Sequence, residues 1–93
     1  MHKVTYYHLP TCPYCIRADK ILAELVQEHP EYAAVEFERI NEMEQPELAD
    51  QYDYYANPTM FIGREKIYEC RLFESPEETR QHVLEVLQRA AAD

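Results

Sequence analysis

Two cysteines, Cys12 and Cys15, stand three residues apart in the segment Cys-Pro-Tyr-Cys and are the residues of this chain best suited to chemistry. A thiolate attacks a disulfide sulfur, so a redox cysteine needs solvent access and surroundings that favour the anion. Cys12 falls where a predicted strand ends and a predicted helix begins, and free N–H groups at a helix start favour negative charge. Cys15 lies one turn deeper, within disulfide reach. The spacing predicts an exposed nucleophile and a more buried resolving thiol.

The other interpretation of Cys12 and Cys15 is that they form part of a structural metal site. Zinc is normally held by four ligands, and the sequence has neither a second Cys-x-x-Cys nor a pair of histidines at metal-ligand spacing. We therefore expect redox chemistry and no resident metal. Cys70 is expected to be a small buried hydrophobic residue, with a third redox thiol as the alternative.

Composition excludes several classes of function. The 93 residues carry 9 Lys and Arg against 18 Asp and Glu, a net charge of −9, which disfavours binding to nucleic acid or an anionic membrane surface. The single glycine, Gly63, cannot form a phosphate-binding loop, so no bound nucleotide cofactor is expected. No apolar run is long enough to span a membrane, and no signal segment is recognisable. We expect one domain, residues 1–93, located in the cytoplasm.

Hydrophobic periodicity predicts the order βαβαββα in an α/β fold. Apolar residues recur at helical spacing after the cysteines, and Ser75-Pro76-Glu77-Glu78 has the pattern of a capping box with proline at the first helical position. The predicted elements are strands at Lys3–His8, Ala34–Ile40, Thr59–Ile62 and Lys66–Glu69, and helices at Pro13–Glu28, Pro46–Tyr55 and from Pro76 onward.

The segment Pro10-Thr11-Cys12-Pro13-Tyr14-Cys15 and the later segment Asn57-Pro58-Thr59-Met60-Phe61-Ile62-Gly63 resemble the glutaredoxin branch of the thioredoxin-like superfamily. The resemblance implies a thioredoxin-like fold, a four-stranded mixed sheet flanked by three helices. It also implies Cys12 as nucleophile and Cys15 as resolving cysteine. Pro58 matches the family's cis-proline, which faces the disulfide. The implied substrate groove consists of Pro13, Tyr14, Asn57, Pro58 and Thr59.

The chain departs from the family at the positions that usually receive glutathione. Leu9 stands where the family usually has lysine, and Ala56-Asn57 replaces Thr-Val. Tyr68-Glu69 replaces Gly-Gly, so we expect bulk from Tyr68 and like-charge repulsion from Glu69. The sequence therefore predicts weak glutathione binding.

Together these observations predict a monomeric dithiol–disulfide oxidoreductase that reduces protein or glutathione mixed disulfides. Its reductant would be external, either glutathione or a flavoprotein disulfide reductase of the thioredoxin-reductase type. The alternative is a binding module of the same fold, in which the two cysteines hold a soft metal ion or an iron–sulfur cluster without redox turnover.

Overall fold

The computed structural model describes residues 1–51, 54 and 56–92. One mixed sheet has the strand order β2-β1-β3-β4, in which β1 and β2 are parallel and the other neighbours antiparallel. This confirms the predicted α/β, thioredoxin-like architecture. In chain order the elements are β1 (Val4–His8), α1 (Pro13–Glu28), a 3₁₀ helix (Pro30–Ala34), β2 (Phe37–Asn41), α2 (Pro46–Ala49), β3 (Thr59–Ile62), β4 (Glu65–Glu69) and α3 (Pro76–Ala91).

The two long helices begin at local signals in the sequence. Pro13 and Pro76 occupy first-turn positions, where a missing N–H costs no hydrogen bond. At the start of α3, the Ser75 hydroxyl accepts from the Glu78 N–H, and the Glu78 carboxylate accepts from the Ser75 N–H. The predicted capping box is therefore present. Gly63, in the turn between β3 and β4, has a φ of 60°, a conformation that glycine adopts without steric cost.

Two predicted bounds need correction, and three others differ by one residue. The second strand begins at Phe37 and not at Ala34, because the chain first forms a 3₁₀ turn in which the Val35 N–H donates to the Tyr32 carbonyl. Helix α2 ends at Ala49, well short of the predicted end; of the remaining predicted span, residues 52, 53 and 55 lie outside the described residues. The first strand begins at Val4, one residue later than predicted. The second strand ends at Asn41 and not at Ile40, and the fourth begins at Glu65 and not at Lys66.

The main core lies on one face of the sheet, where α1 and α3 pack against each other and against the strands. A smaller cluster on the other face consists of Tyr7, Ile40 and Phe61, covered by Leu48 and other residues around α2. No helix within the described ranges is both long enough and apolar enough to cross a bilayer. The central strand β1 thus has packing on both faces and points its carboxyl end at the cysteine segment.

Candidate active site

Cys12 is the N-cap residue of α1. Its N–H donates to the Leu9 carbonyl at 3.1 Å, and its carbonyl accepts from the Ile16 N–H at 3.0 Å. The side chain makes no capping hydrogen bond and is half-buried, so the sulfur remains partly accessible. The first-turn N–H groups of a helix stabilise a nearby anion. The local backbone therefore places an accessible sulfur at an anion-stabilising position.

Cys15 is one helical turn further along and faces the core, with 2% of its surface exposed. Burial, together with the neighbouring Cys12 thiol, raises the pKa of Cys15 to about 12. Both cysteines are free thiols. Their environments therefore differ as the sequence predicts, one sulfur accessible and the other enclosed and protonated at neutral pH.

The loop before β3 faces Cys12 across the site. The Asn57–Pro58 peptide bond is cis, as the family resemblance implies, and the Asn57 carbonyl is the hydrogen-bond acceptor of the Cys12 thiol at a long 4.0 Å. Pro58 and Thr59 are buried, and the Thr59 hydroxyl donates to the Ala56 carbonyl. Pro58 and Thr59 are thus the buried part of the loop, while the Asn57 carbonyl faces the Cys12 sulfur.

The Asn57 side chain is fixed by an acidic residue that sequence reasoning missed. Its amide Nδ2 donates to Glu42 Oε2 at 2.8 Å, and the Tyr54 hydroxyl donates to Glu42 Oε1 at 2.6 Å. Burial and the hydrogen bond to Glu42 raise the pKa of Tyr54 above its ordinary value. The Glu42 carboxylate therefore connects, through two hydrogen bonds, the loop that faces Cys12 with Tyr54, which packs on the smaller cluster.

A groove of about 220 Å³ opens beside this loop. Of the predicted groove residues, it brings together Tyr14 and Asn57, whereas Pro13 is exposed at the helix start. Cys70 also borders the groove but is itself buried, and burial raises the pKa of its thiol to about 11. The described lining residues are Tyr14, Ala56, Asn57, Cys70, Arg71 and Leu72.

Tyr14 is held at the groove rim from two sides. Its hydroxyl accepts from the Phe73 N–H at 3.0 Å, and the Arg17 guanidinium lies over its ring, 5.0 Å from the centroid. Arg17 Nη2 donates in turn to the Glu74 carbonyl at 2.7 Å and to the Thr79 hydroxyl at 2.8 Å. Helix α1 is thereby joined to the segment that leads into α3.

The Glu74 carboxylate is the centre of this network, with only 6% of the residue exposed. The hydroxyls of Tyr68 and Thr79 each donate to its Oε2 at 2.5 Å, and the Arg71 N–H donates to Oε1 at 3.3 Å. The sequence held no signal for this arrangement, because Glu74 simply precedes a helix cap. Its role depends on residues from β4, α1 and α3.

The structure corrects the reasons given for weak glutathione binding at positions 68 and 69. Tyr68 is buried in the core, so its bulk does not stand on the surface. The Glu69 carboxylate accepts from the Ala56 N–H at 2.9 Å and from Lys66 Nζ at 2.8 Å. Its charge is therefore partly compensated, and Glu69 supports the loop before Pro58.

Comparison with known proteins assigns this arrangement to a family. The sequence model described as glutaredoxin matches residues 4–67, which contain both cysteines of the motif and the Asn57–Pro58 loop. The chain belongs to the glutaredoxin family. It is also 40% identical, over 61 residues, to a thioredoxin of Methanocaldococcus jannaschii, covering 66% of this chain and 69% of that protein. These relationships indicate thiol–disulfide oxidoreductase chemistry in general.

A solved structure described as a malarial protein shares the fold of this glutaredoxin-family chain. The TM-score is 0.58, with 13% sequence identity over 88% of this chain and 92% of the other. Across the part of the chain that the structure describes, no group of three or more His, Cys, Asp or Glu side chains is arranged to hold a metal ion.

Proposed function

We propose that this protein is a dithiol–disulfide oxidoreductase that reduces protein disulfides through Cys12 and Cys15. The observation that supports this most directly is the contrast between an accessible Cys12 at a helix N-cap and an enclosed Cys15 one turn later. The proposed setting is the cytosol, where cellular reductants keep such thiols reduced.

The proposed reaction proceeds by two displacements at sulfur. The Cys12 thiolate attacks one sulfur of the substrate disulfide, forms a mixed disulfide, and releases the other substrate sulfur as a thiolate. The Cys15 thiolate then attacks Cys12 Sγ, forms the Cys12–Cys15 disulfide, and releases the second substrate sulfur. Two electrons pass to the substrate, and the two protons that neutralise its thiolates come from the protein thiols through solvent.

The second displacement requires Cys15 to lose its proton, because the thiolate is the attacking form. Burial and the Cys12 thiol raise the pKa of Cys15 to about 12, so Cys15 is protonated while Cys12 is free. Formation of the mixed disulfide removes the Cys12 thiol and leaves a substrate thiolate that can accept a proton. The first displacement therefore removes the contribution of the Cys12 thiol to the pKa of Cys15, while the larger contribution of burial remains.

Return to the dithiol needs two electrons from an external donor, for which we propose a flavoprotein disulfide reductase or glutathione. Leu9 supplies no cation for a glutathione carboxylate, which makes glutathione the weaker donor. A charge-assisted hydrogen bond contributes about 1.5–3 kcal/mol, so its absence lowers affinity by roughly ten- to more than a hundredfold. Re-reduction of the oxidised protein by glutathione with glutathione reductase, measured beside a thioredoxin-reductase system, compares the two donors.

Two cysteine variants test the assignment of roles. Cys12→Ser should abolish turnover of protein disulfides, whereas Cys15→Ser should accumulate the Cys12 mixed disulfide without completing reduction. Cys70→Ser tests whether the third thiol, which is buried beside the groove, takes part: retention of both steps would show that they depend on Cys12 and Cys15 alone. Alkylation of Cys12 and Cys15 at equal rates at neutral pH would contradict the proposal. A visibly coloured protein after purification without oxygen would instead favour the alternative that the cysteines hold a soft metal or a cluster.

A further inference from the structure

Two consecutive apolar side chains are displayed to solvent beside the groove. Leu72 is 76% exposed and Phe73 is 86% exposed. Among the described residues, the other large hydrophobic side chains with comparable exposure are Met1, Ile16 and Met43, none of them next to one another in the chain. We refer to Leu72 and Phe73 as the apolar lip. Leu72 also lines the groove, and the Phe73 N–H donates to the hydroxyl of Tyr14, another lining residue, so the lip lies next to the groove.

The apolar lip is held in place by the backbone around it. Phe73 has a φ of 64°, a left-handed conformation that is rare for a bulky residue and costs free energy. Its N–H is bound by the Tyr14 hydroxyl, and the Glu74 N–H closes a turn on the Arg71 carbonyl at 3.0 Å. The exposure of the lip is thus a property of an anchored turn that also fixes Tyr14.

The groove and the Cys12 sulfur meet at Asn57. Asn57 is one wall of the groove, and the carbonyl of the same residue faces Cys12 Sγ. A substrate sulfur in line with Cys12 therefore brings the residues that flank it toward Tyr14 and the lip. The groove's volume of about 220 Å³ is smaller than the roughly 300–1,000 Å³ of typical small-molecule sites and suits a single side chain.

We propose that the groove and the apolar lip receive a bulky apolar side chain next to the reacting cysteine of a protein disulfide. This inference rests on the proposed function and specifies its substrate. Glutathione carries no such side chain, since its cysteine lies between a glycine and a charged γ-glutamyl group. The contact is favourable because it removes apolar surface of both the protein and the substrate from water.

Two peptides of equal length test this preference. Each contains one cysteine linked as a mixed disulfide to thionitrobenzoate, flanked on both sides by phenylalanine in one peptide and by serine in the other. Attack of Cys12 on the peptide sulfur joins peptide and protein and releases coloured thionitrobenzoate, which reports the second-order rate constant. We expect the phenylalanine peptide to react about five- to twentyfold faster, the effect of partly burying one large side chain.

Variants of the lip should remove the preference, measured in each variant as the ratio of the rate with the phenylalanine peptide to the rate with the serine peptide. Leu72→Ser and Phe73→Asn are suitable because both sites are exposed, and asparagine tolerates a positive φ. Met43→Ser is the matched control: Met43 is 73% exposed and follows β2, at the opposite edge of the sheet from β4. This variant should keep the full preference.

Equal rates for the two peptides in the wild-type protein, or a preference that survives both lip variants, would overturn the inference while leaving the proposed function intact. If neither peptide reacts, the proposed function fails, and binding then decides the inference. For that purpose each peptide is made with serine in place of cysteine, and amide chemical shifts of residues 71–74 are followed. Shifts no larger with phenylalanine than with serine would overturn it.

Discussion

The two faces of the sheet are built very differently. One is covered by the two 16-residue helices α1 and α3 over a core that includes Leu25 and Leu87, both fully buried. On the other face the four-residue helix α2 lies beside a cluster of three buried residues, among them Phe61. The helical face anchors Cys15 and the Arg17–Glu74 network. The thinly covered face holds Glu42 and Tyr54, which fix the Asn57 side chain.

Because of this difference, we expect one face to determine the stability of the fold and the other to determine the orientation of the loop opposite Cys12. Buried apolar area is the main source of folding free energy, so the helical face should carry most of it. The thin face contributes less burial but supplies the contacts that orient the loop opposite Cys12. Substitutions on the two faces should therefore change different observables.

The largest expected effect is a core truncation on the helical face. Leu87→Ala removes a fully buried side chain and should lower the free energy of unfolding by about 2–5 kcal/mol. Leu48→Ala on the thin face removes a half-buried side chain and should cost about 1 kcal/mol. Urea denaturation followed by circular dichroism measures both. Equal losses of unfolding free energy in the two variants would show that both faces contribute similarly to stability.

The next effect concerns the buried carboxylate on the helical face. In Glu74→Gln an amide NH₂ would meet either the Arg71 N–H or the two hydroxyl donors, so at least one hydrogen bond is lost. The expected cost is about 1–3 kcal/mol of unfolding free energy. Glu24→Gln, at an exposed position of α1, is the control and should change stability little. An unchanged urea midpoint for Glu74→Gln would refute a structural role for the network.

A smaller effect, on rate more than on stability, is expected on the thin face. Glu42→Gln weakens the tie between Asn57 and Tyr54 and should slow protein-disulfide reduction about two- to tenfold, the range for one neutral hydrogen bond. In an Asn57→Ala background the same substitution should have no further effect on the rate. Glu44→Gln, an exposed neighbour, is the control. Additive effects of Glu42→Gln and Asn57→Ala would mean that Glu42 acts by another route.

The effect that is smallest at neutral pH, and that develops only above pH 9, is a pH dependence of stability. Burial is the main cause that raises the pKa of Cys15 to about 12 and that of Cys70 to about 11, from 9.0. Folding therefore favours the protonated thiols: their contribution is complete below pH 9 and is lost as pH rises through 11 and 12. The unfolding free energy of the reduced protein should fall over this window, and less steeply in Cys15→Ala. Identical slopes in both proteins would contradict the assignment.

The sequence predicted those parts of the fold that have local causes. Pro13 and the Ser75 capping box mark helix starts within a few residues, so α1 and the start of α3 were predicted correctly. The start of β2 was predicted incorrectly. The alanines at positions 33 and 34 have little preference for a strand, and they form the end of the preceding 3₁₀ helix. Short elements depend more on tertiary contacts than on their own sequence.

The site shows the same division. The two cysteines and the loop at Pro58 were identified because their residue types and family pattern are visible along the chain. Arg17 and Glu74, 57 residues apart, meet only in the folded protein, and no spacing rule connects them. Leu72 and Phe73 look like ordinary apolar residues in the sequence, and only their exposure in the folded structure distinguishes them.

Helix α1 has no side-chain hydrogen bond at its N-cap residue, Cys12, and this affects which residue a screen for stability would select there. Serine is among the best N-cap residues, whereas this helix begins with a cysteine whose side chain makes no capping bond. Cys12→Ser should therefore gain about 0.5–2 kcal/mol of stability from the new capping hydrogen bond, and it removes the thiol that the proposed function requires. A library screened for thermal tolerance alone would therefore favour serine over cysteine at position 12. Under the proposed function, a cysteine here gives up helix stability for thiol reactivity, and only selection on turnover would favour it.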